Sequence, residues 1–320
     1  MKFVLSRLAQ MVLVVFAVTL LAFGALNFLG DPLFNVVGPI AGVDQAELSE
    51  VDRATIVEAR EIYNLDDPFV VRYGLWLSDF VQGDFGRSFK NQSTVASIIG
   101  QRLPVTILLM VMAQVIAIAV SIPWALWSAS RAGRLGDKAS TVASFAMLGI
   151  PVFALSVILF WLFAVRFDVF PTRYDDTTFG MQLFSLFLPA VVLSVPLIAV
   201  YQRLLRTDLI ATLQEDFIAV ARAKGMSARH ILFRHALRPS LFSMLTVFGI
   251  QTGALIGGSI VVETYFTLPG IGDEVIEAII RDDFPVVLAV VVIVSVVFVV
   301  VNFIVDLLYS FLDPRVRADG

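Results

Sequence analysis

The sequence contains no cysteine, which removes disulfides, thiolate metal sites and thiol nucleophiles together. Histidine is nearly as scarce. His230 and His235 are the only two, and a lone pair five residues apart makes no metal site. Charged residues are 16% of the chain, against about a quarter in a soluble domain. A net charge of −4, with no basic stripe interleaved by aromatics, excludes a nucleic-acid binder. The phosphate-loop pattern G-x-x-x-x-G-K-[S/T] is also missing, since Ala223-Lys224-Gly225 has the wrong order and no preceding glycine. The chain therefore binds no cofactor of its own and carries no catalytic residues.

What is present is apolar length. Six stretches hold no Asp, Glu, Lys or Arg: Leu8–Gly30, Leu103–Ser130, Ala139–Val165, Thr177–Gln202, Pro239–Val262 and Phe284–Val305. Each exceeds the roughly 20 residues that cross a hydrocarbon core. Soluble helices need a polar face, and these have almost none. The fold class is therefore an all-α integral membrane protein with six transmembrane helices. The first run follows Lys2 and Arg7 like a signal peptide, but it is longer than a signal h-region and reads as a retained helix. With no ionisable residue in any run, neither an ion-coupled secondary transporter nor an intramembrane enzyme fits well.

The connecting segments separate by charge. The N-terminus, second loop, fourth loop and C-terminus sum to +7, and the other three loops to −11. The positive-inside rule places both termini in the cytoplasm, as an even number of spans requires. Residues 1–102 are read as the first helix plus an external acidic helical cap, in which Ser49–Glu61 and Asp67–Val81 have helical character and Asp66-Asp67-Pro68 looks like a helix start. Residues 103–312 form a five-helix domain whose cytoplasmic loop is 203–238, and 313–320 is a tail.

That loop reads as helix, glycine, helix. Glu215 and Asp216 come early and Arg222 and Lys224 late, the order that suits a helix dipole. Phe217, Val220 and Ala221 make a narrow apolar stripe. Gly225 follows as a left-handed stop, and Ser227 is placed to cap the next helix. Two uses suit the pattern equally, docking of a partner and contact with lipid headgroups through the arginines.

The stretch Asp216–Pro239, DFIAVARAKGMSARHILFRHALRP, resembles the coupling motif of type I ABC importer permeases, and more narrowly their dipeptide/oligopeptide and nickel subfamily. Gly30-Asp31-Pro32, Leu65–Phe89, Gln101–Leu109 and Val261–Pro285 resemble that subfamily's other motifs, so the likeness covers nearly the whole chain. It departs at the Glu-Ala-Ala that opens the general coupling consensus. Ala219, Val220 and Ala221 stand there, and only the last matches. Pro239 lies one residue later than the consensus.

The resemblance implies a permease subunit of an ATP-driven peptide importer in the bacterial plasma membrane. Its implied partners are a second homologous permease, two cytoplasmic ATPase subunits or domains holding ATP and magnesium, and an external solute-binding lipoprotein. Nickel complexes or glutathione are alternative cargoes. Phe217, Ala221, Arg222, Ala223, Lys224 and Gly225 become the ATPase-coupling residues. In the fifth span Gly249, Gly253 and Gly257, with Gln251, Thr252 and Ser259, are either path and gate residues or simple helix packing. Gln114, Ser121, Ser156, Ser194 and Asn302 are weaker path candidates. Pro123, Pro151, Pro189 and Pro196 fall inside spans and read as static kinks. Glu263, Pro269, Gly270, Asp273, Asp282 and Asp283 are candidates for an external docking face or mouth; the acidic spacing does not fit a calcium loop.

Overall fold

In the computed structural model, residues 2–29, 33, 37, 41, 49–62 and 64–312 are described. Gly30-Asp31-Pro32 and the tail 313–320 lie outside them. The described residues are almost entirely helical and contain no strand, only an isolated bridge between Arg87 and Thr94. The helices are α1 (Lys2–Leu29), α2 (Glu50–Ile62), α3 (Phe69–Val81), α4 (Val95–Ala129), α5 (Leu135–Gly149), α6 (Val152–Phe160, continued by a π turn Trp161–Arg166), α7 (Phe179–Thr212), α8 (Asp216–Ala223), α9 (Ala228–Phe266, with a π turn at Ile231–Ala236), α10 (Ile271–Ile280) and α11 (Phe284–Leu312).

Five helices, α1, α4, α7, α9 and α11, are long and apolar enough to span a membrane. The third uncharged run differs from expectation. It is a pair, α5 and α6, bent by 97°. The cause is local: Pro151 restricts the residue before it, and Ile150 is extended at φ −85°, ψ 118°. Six spans result only if this broken pair counts as one. Pro123, Pro189 and Pro196, by contrast, lie inside unbroken helices.

The chain forms two units, Met1–Leu103 with Glu274–Val300, and Pro104–Asp273 with Val301–Gly320. In the first unit, Phe23, Tyr73, Leu288 and Val292 are buried together, with Phe69, Trp76 and Phe80 against them. The rings of Phe23 and Tyr73 meet edge-on at 5.6 Å, a favoured aromatic geometry. The Tyr73 hydroxyl is hydrogen-bonded to Thr19 at 2.8 Å. Ser49 caps α2 by accepting from the Asp52 amide at 3.1 Å, and α3 starts directly after Pro68.

The second unit is organised around α7, the most buried of the spanning helices, which packs along α9 and α5. Side-chain polar groups set the register. Tyr201 donates to Gln114 Oε1 (2.8 Å), Gln114 Nε2 donates to Thr252 Oγ1 (3.0 Å), and Thr252 donates to the Phe248 carbonyl (2.8 Å). Nearer the end of α7, Ser144 donates to Gln202 Oε1 (2.6 Å) and Gln202 Nε2 donates to Ser140 (3.0 Å). One turn further, Arg206 forks onto Asp137 at 2.5 and 2.6 Å. Ser128 (2.7 Å) and the Gly133 amide (2.8 Å) complete that carboxylate's shell. Between α6 and α7, Asp175 accepts from the Thr177 hydroxyl (2.7 Å) and amide (2.9 Å), which holds its carboxyl below the usual range.

Asp137 is 2% exposed, so removing it leaves the partly buried Arg206 guanidinium without its carboxylate. Asp137→Ala is expected to destabilise the purified protein by about 3 kcal/mol. In thermal unfolding in detergent, Asp137→Asn combined with Arg206→Gln should recover part of the loss.

Candidate functional site

The connection between α7 and α9 is ordered throughout. Helix α8 ends on Gly225 at φ +76°, with the Gly225 amide bonded to Arg222 O (2.9 Å) and the Met226 amide to Ala221 O (3.3 Å). This paired closure is the usual left-handed helix stop. No described atom lies within 4 Å of a Cβ built on Gly225, so backbone conformation and not space requires glycine. Ser227 then caps α9, accepting from the His230 amide at 3.3 Å.

One face of α8 is anchored and the other is open. Ile218 and Ala221 are buried with Ile231, and Leu213 packs on them. Phe217 and Val220 are 48% and 54% exposed, and Arg222, Ala223, Lys224 and Gly225 are exposed beside them. The stripe read from the sequence therefore divides. Ala221 belongs to the anchor, because an alanine at the helix boundary is small enough to be covered from the Ile218 side.

The fifth-span residues are graded in depth. Gly249 is buried, and a Cβ there would stand 3.1 Å from Asn302 Oδ1 and 3.5 Å from Val305. Gly253 and Gln251 are half-buried, and Gly257 is exposed with no described atom within 4 Å. Thr252 and Ser259 are buried, and their hydroxyls are bonded, Ser259 to the Ile256 carbonyl at 2.9 Å. Inside this chain the stripe thus serves packing at its Gly249 end and is open at its Gly257 end. Ser156 and Ser194 likewise bond to their own helices, at 3.0 and 2.8 Å. Gln114 is an interhelical tie.

The acidic residues near α10 are less exposed than a solvated face would be. Glu263 is fully buried inside α9. Its Oε2 accepts from the Gly272 amide at 2.7 Å, and the Thr106 hydroxyl accepts from the Ile271 amide at 2.9 Å. Glu263 thus closes the start of α10 like a capping carboxylate donated by the preceding helix. Gly270 is buried against the Glu263 carboxylate, Pro269 and Asp273 are half-buried, and Glu274 pairs with Arg102 at 2.9 Å. Asp283 is also buried, bonded to Ser88 and to the Phe89 amide. Asp282 alone of the six external candidates is exposed. Glu263 and Asp283 each end a charge-free run, so sequence alone places them in loops. Their partners lie at separations that no local pattern reveals.

Residues 121–318 match the family model described as the binding-protein-dependent transport system inner membrane component. The chain belongs to this family. It is a multi-pass inner-membrane transport permease. Its relatives include the oligopeptide transport system permease protein AppB of Bacillus subtilis (strain 168), 36% identical over 98% of this chain and 99% of the relative. The dipeptide transport system permease protein DppB of Alkalihalophilus pseudofirmus is 29% identical over 99% of both chains. The glutathione transport system permease protein GsiC of Escherichia coli O1:K1 / APEC is 32% identical over 99% of both.

The glycines of this permease make a contrast that can be measured. A Cβ on Gly272 would stand 2.6 Å from the Ile260 Cα and 2.8 Å from Glu263 Oε2. Gly272→Ala should destabilise by about 1–3 kcal/mol through overpacking. Gly257→Ala, in open space on a helix, should be neutral or stabilising. Melting temperatures of the two purified variants, measured side by side, check this.

Proposed function

We propose that this permease imports peptides as one half of a two-permease path, driven by ATPases on separate chains that seat on α8. The observation that carries the reading is the division of α8 into an anchored face, Ile218 and Ala221, and an open apolar face, Phe217 and Val220. A short helix held on one side and bare on the other suits a knob for a partner's groove. Its connectors are short, Leu213–Glu215 to α7 and Lys224–Ser227 to α9, so a push on α8 is delivered to two spans at once.

On this reading both termini and α8 face the cytoplasm, and the α2–α3 segment and α10 face outward, where a solute-binding lipoprotein delivers cargo. ATP and magnesium belong to the partner ATPases. The glycine stripe of α9, open at Gly257, is the surface offered to the sibling permease or the path. Peptide as cargo is supported by the oligopeptide and dipeptide relatives. Glutathione, itself a short peptide, is the second reading, supported by the 32% relative. Competition between labelled dipeptide, longer peptides and glutathione for uptake separates the two.

Phe217→Asp is expected to leave membrane insertion intact and to weaken co-purification of the ATPases at least tenfold, the scale of losing about 1.5–3 kcal/mol of aromatic burial. Gly225→Val should uncouple ATP hydrolysis from uptake, because a β-branched residue resists the left-handed stop. Normal coupled uptake by both variants would remove α8 as the docking element.

A further inference from the structure

Between α3 and α4 the chain folds back on itself, and a polar cleft opens between this loop, the start of α4 and α10. The Ser88 amide donates to the Ser93 carbonyl (3.0 Å) and the Val95 amide to the Gly86 carbonyl (3.0 Å), which leaves Lys90 and Asn91 at the tip. Both of their amides donate to Ser88 Oγ, at 3.2 and 3.3 Å. Buried Asp283 holds the loop in turn, through the Ser88 hydroxyl and the Phe89 amide. All of these residues belong to the first unit.

Helix periodicity supplies the walls. Ser97 and Gln101 are four apart on α4, and Glu274, Glu277 and Arg281 fall at i, i+3 and i+7 along α10 and the turn after it. The cleft holds about 310 Å³, at the small end of ligand sites. Such sites are mostly apolar, but among the described residues lining this one only Ile98 and Ala278 are. Its charges are unequally committed. Glu274 is tied to Arg102 at 2.9 Å, and Asp283 to the loop. Arg281 pairs with Glu277 one turn back, their side chains 60% and 42% exposed, an arrangement that opens at little cost. Lys90 has no carboxylate partner among the described residues. One cleft thus offers two available cations beside a wall of hydroxyls and amides.

We propose that this cleft binds the C-terminal end of a short peptide, its carboxylate between Lys90 and Arg281 and its last amide groups against Asn91, Ser97 and Gln101. The inference rests on the peptide-import reading and gives cargo a contact on this chain outside the glycine stripe of α9. Charge-assisted bonds from an ammonium and a guanidinium hold a carboxylate well. The side-chain amides and hydroxyls of the wall both donate and accept. A bare anion would use only their donors, whereas a peptide end brings N–H and C=O groups together with its charge.

The test uses the full chain with the membrane subunits that accompany it, in nanodiscs and washed free of binding protein. Binding of radiolabelled trialanine is measured by equilibrium dialysis, and uptake of the same peptide is measured in proteoliposomes with binding protein restored. Wild type should bind trialanine and its N-acetyl form alike, and the C-terminal amide at least about tenfold more weakly, the scale of losing hydrogen bonds to a charged group. Lys90→Gln with Arg281→Gln should weaken trialanine by a similar factor and erase the preference over the amide, while K90R/R281K should keep both. Should the glutamine variant not fold, the preference of wild type and of K90R/R281K for the free carboxylate decides. Normal uptake without binding by the washed assembly overturns the cleft and leaves the import reading standing, as does equal binding of the C-terminal amide. Absence of peptide uptake by wild type overturns the import reading and this inference with it. Competition by millimolar inorganic phosphate as strong as that by trialanine makes the cleft a general anion site and overturns the peptide assignment. A glutamine variant that binds trialanine normally but loses the binding protein makes the cleft a protein contact and overturns it too.

Discussion

The fork of Arg206 on Asp137 sets the frame for the second unit. Asp137 is buried and Arg206 partly so, so each holds the other at a desolvation cost that only good geometry offsets. Both guanidinium contacts are short, and Ser128 and the Gly133 amide occupy remaining lone pairs of the carboxylate. The pair fixes α5 against α7 close to where α7 gives way to α8. Successive turns of α7 then present Gln202 to Ser140 and Ser144, and Tyr201 to Gln114, which passes the contact on to Thr252 of α9. Apolar surfaces between lipid-like faces slide easily. These polar ties give the helices one register.

The same logic governs the end of α9. Glu263 is buried, and amides at the start of α10 come to it because Gly270 and Gly272 let the backbone approach where a Cβ would collide. An acidic residue that looks like an external charge is in fact an internal brace. Asp283 plays a similar part in the first unit, holding Ser88 and the Phe89 amide.

Much of this was legible in advance. Bare apolar runs found every long helix, because no arrangement other than lipid or a partner's surface tolerates such stretches. The helix–glycine–helix of α8 and α9 followed from the ordering of charges, Gly225 and Ser227. What escaped was set by contacts distant in sequence. Helix α7 continues ten residues past Gln202, since Arg206 is neutralised by a partner 69 residues away. The third run breaks at Ile150–Pro151, where apolar composition conceals a backbone restriction, although prolines at 123, 189 and 196 leave their helices continuous. Ala221 changed sides because periodicity alone does not say which neighbour of an apolar stripe meets the protein.

Gly225 is in open space, yet its backbone sits at φ +76°. The position therefore selects for handedness and not for smallness. A residue of mirror-image chirality would meet that backbone angle as its natural state. The stop between α8 and α9 is thus a chiral constraint. It limits which stereoisomer stands there, in contrast to Gly272, where an added Cβ meets the Ile260 backbone and the Glu263 carboxylate.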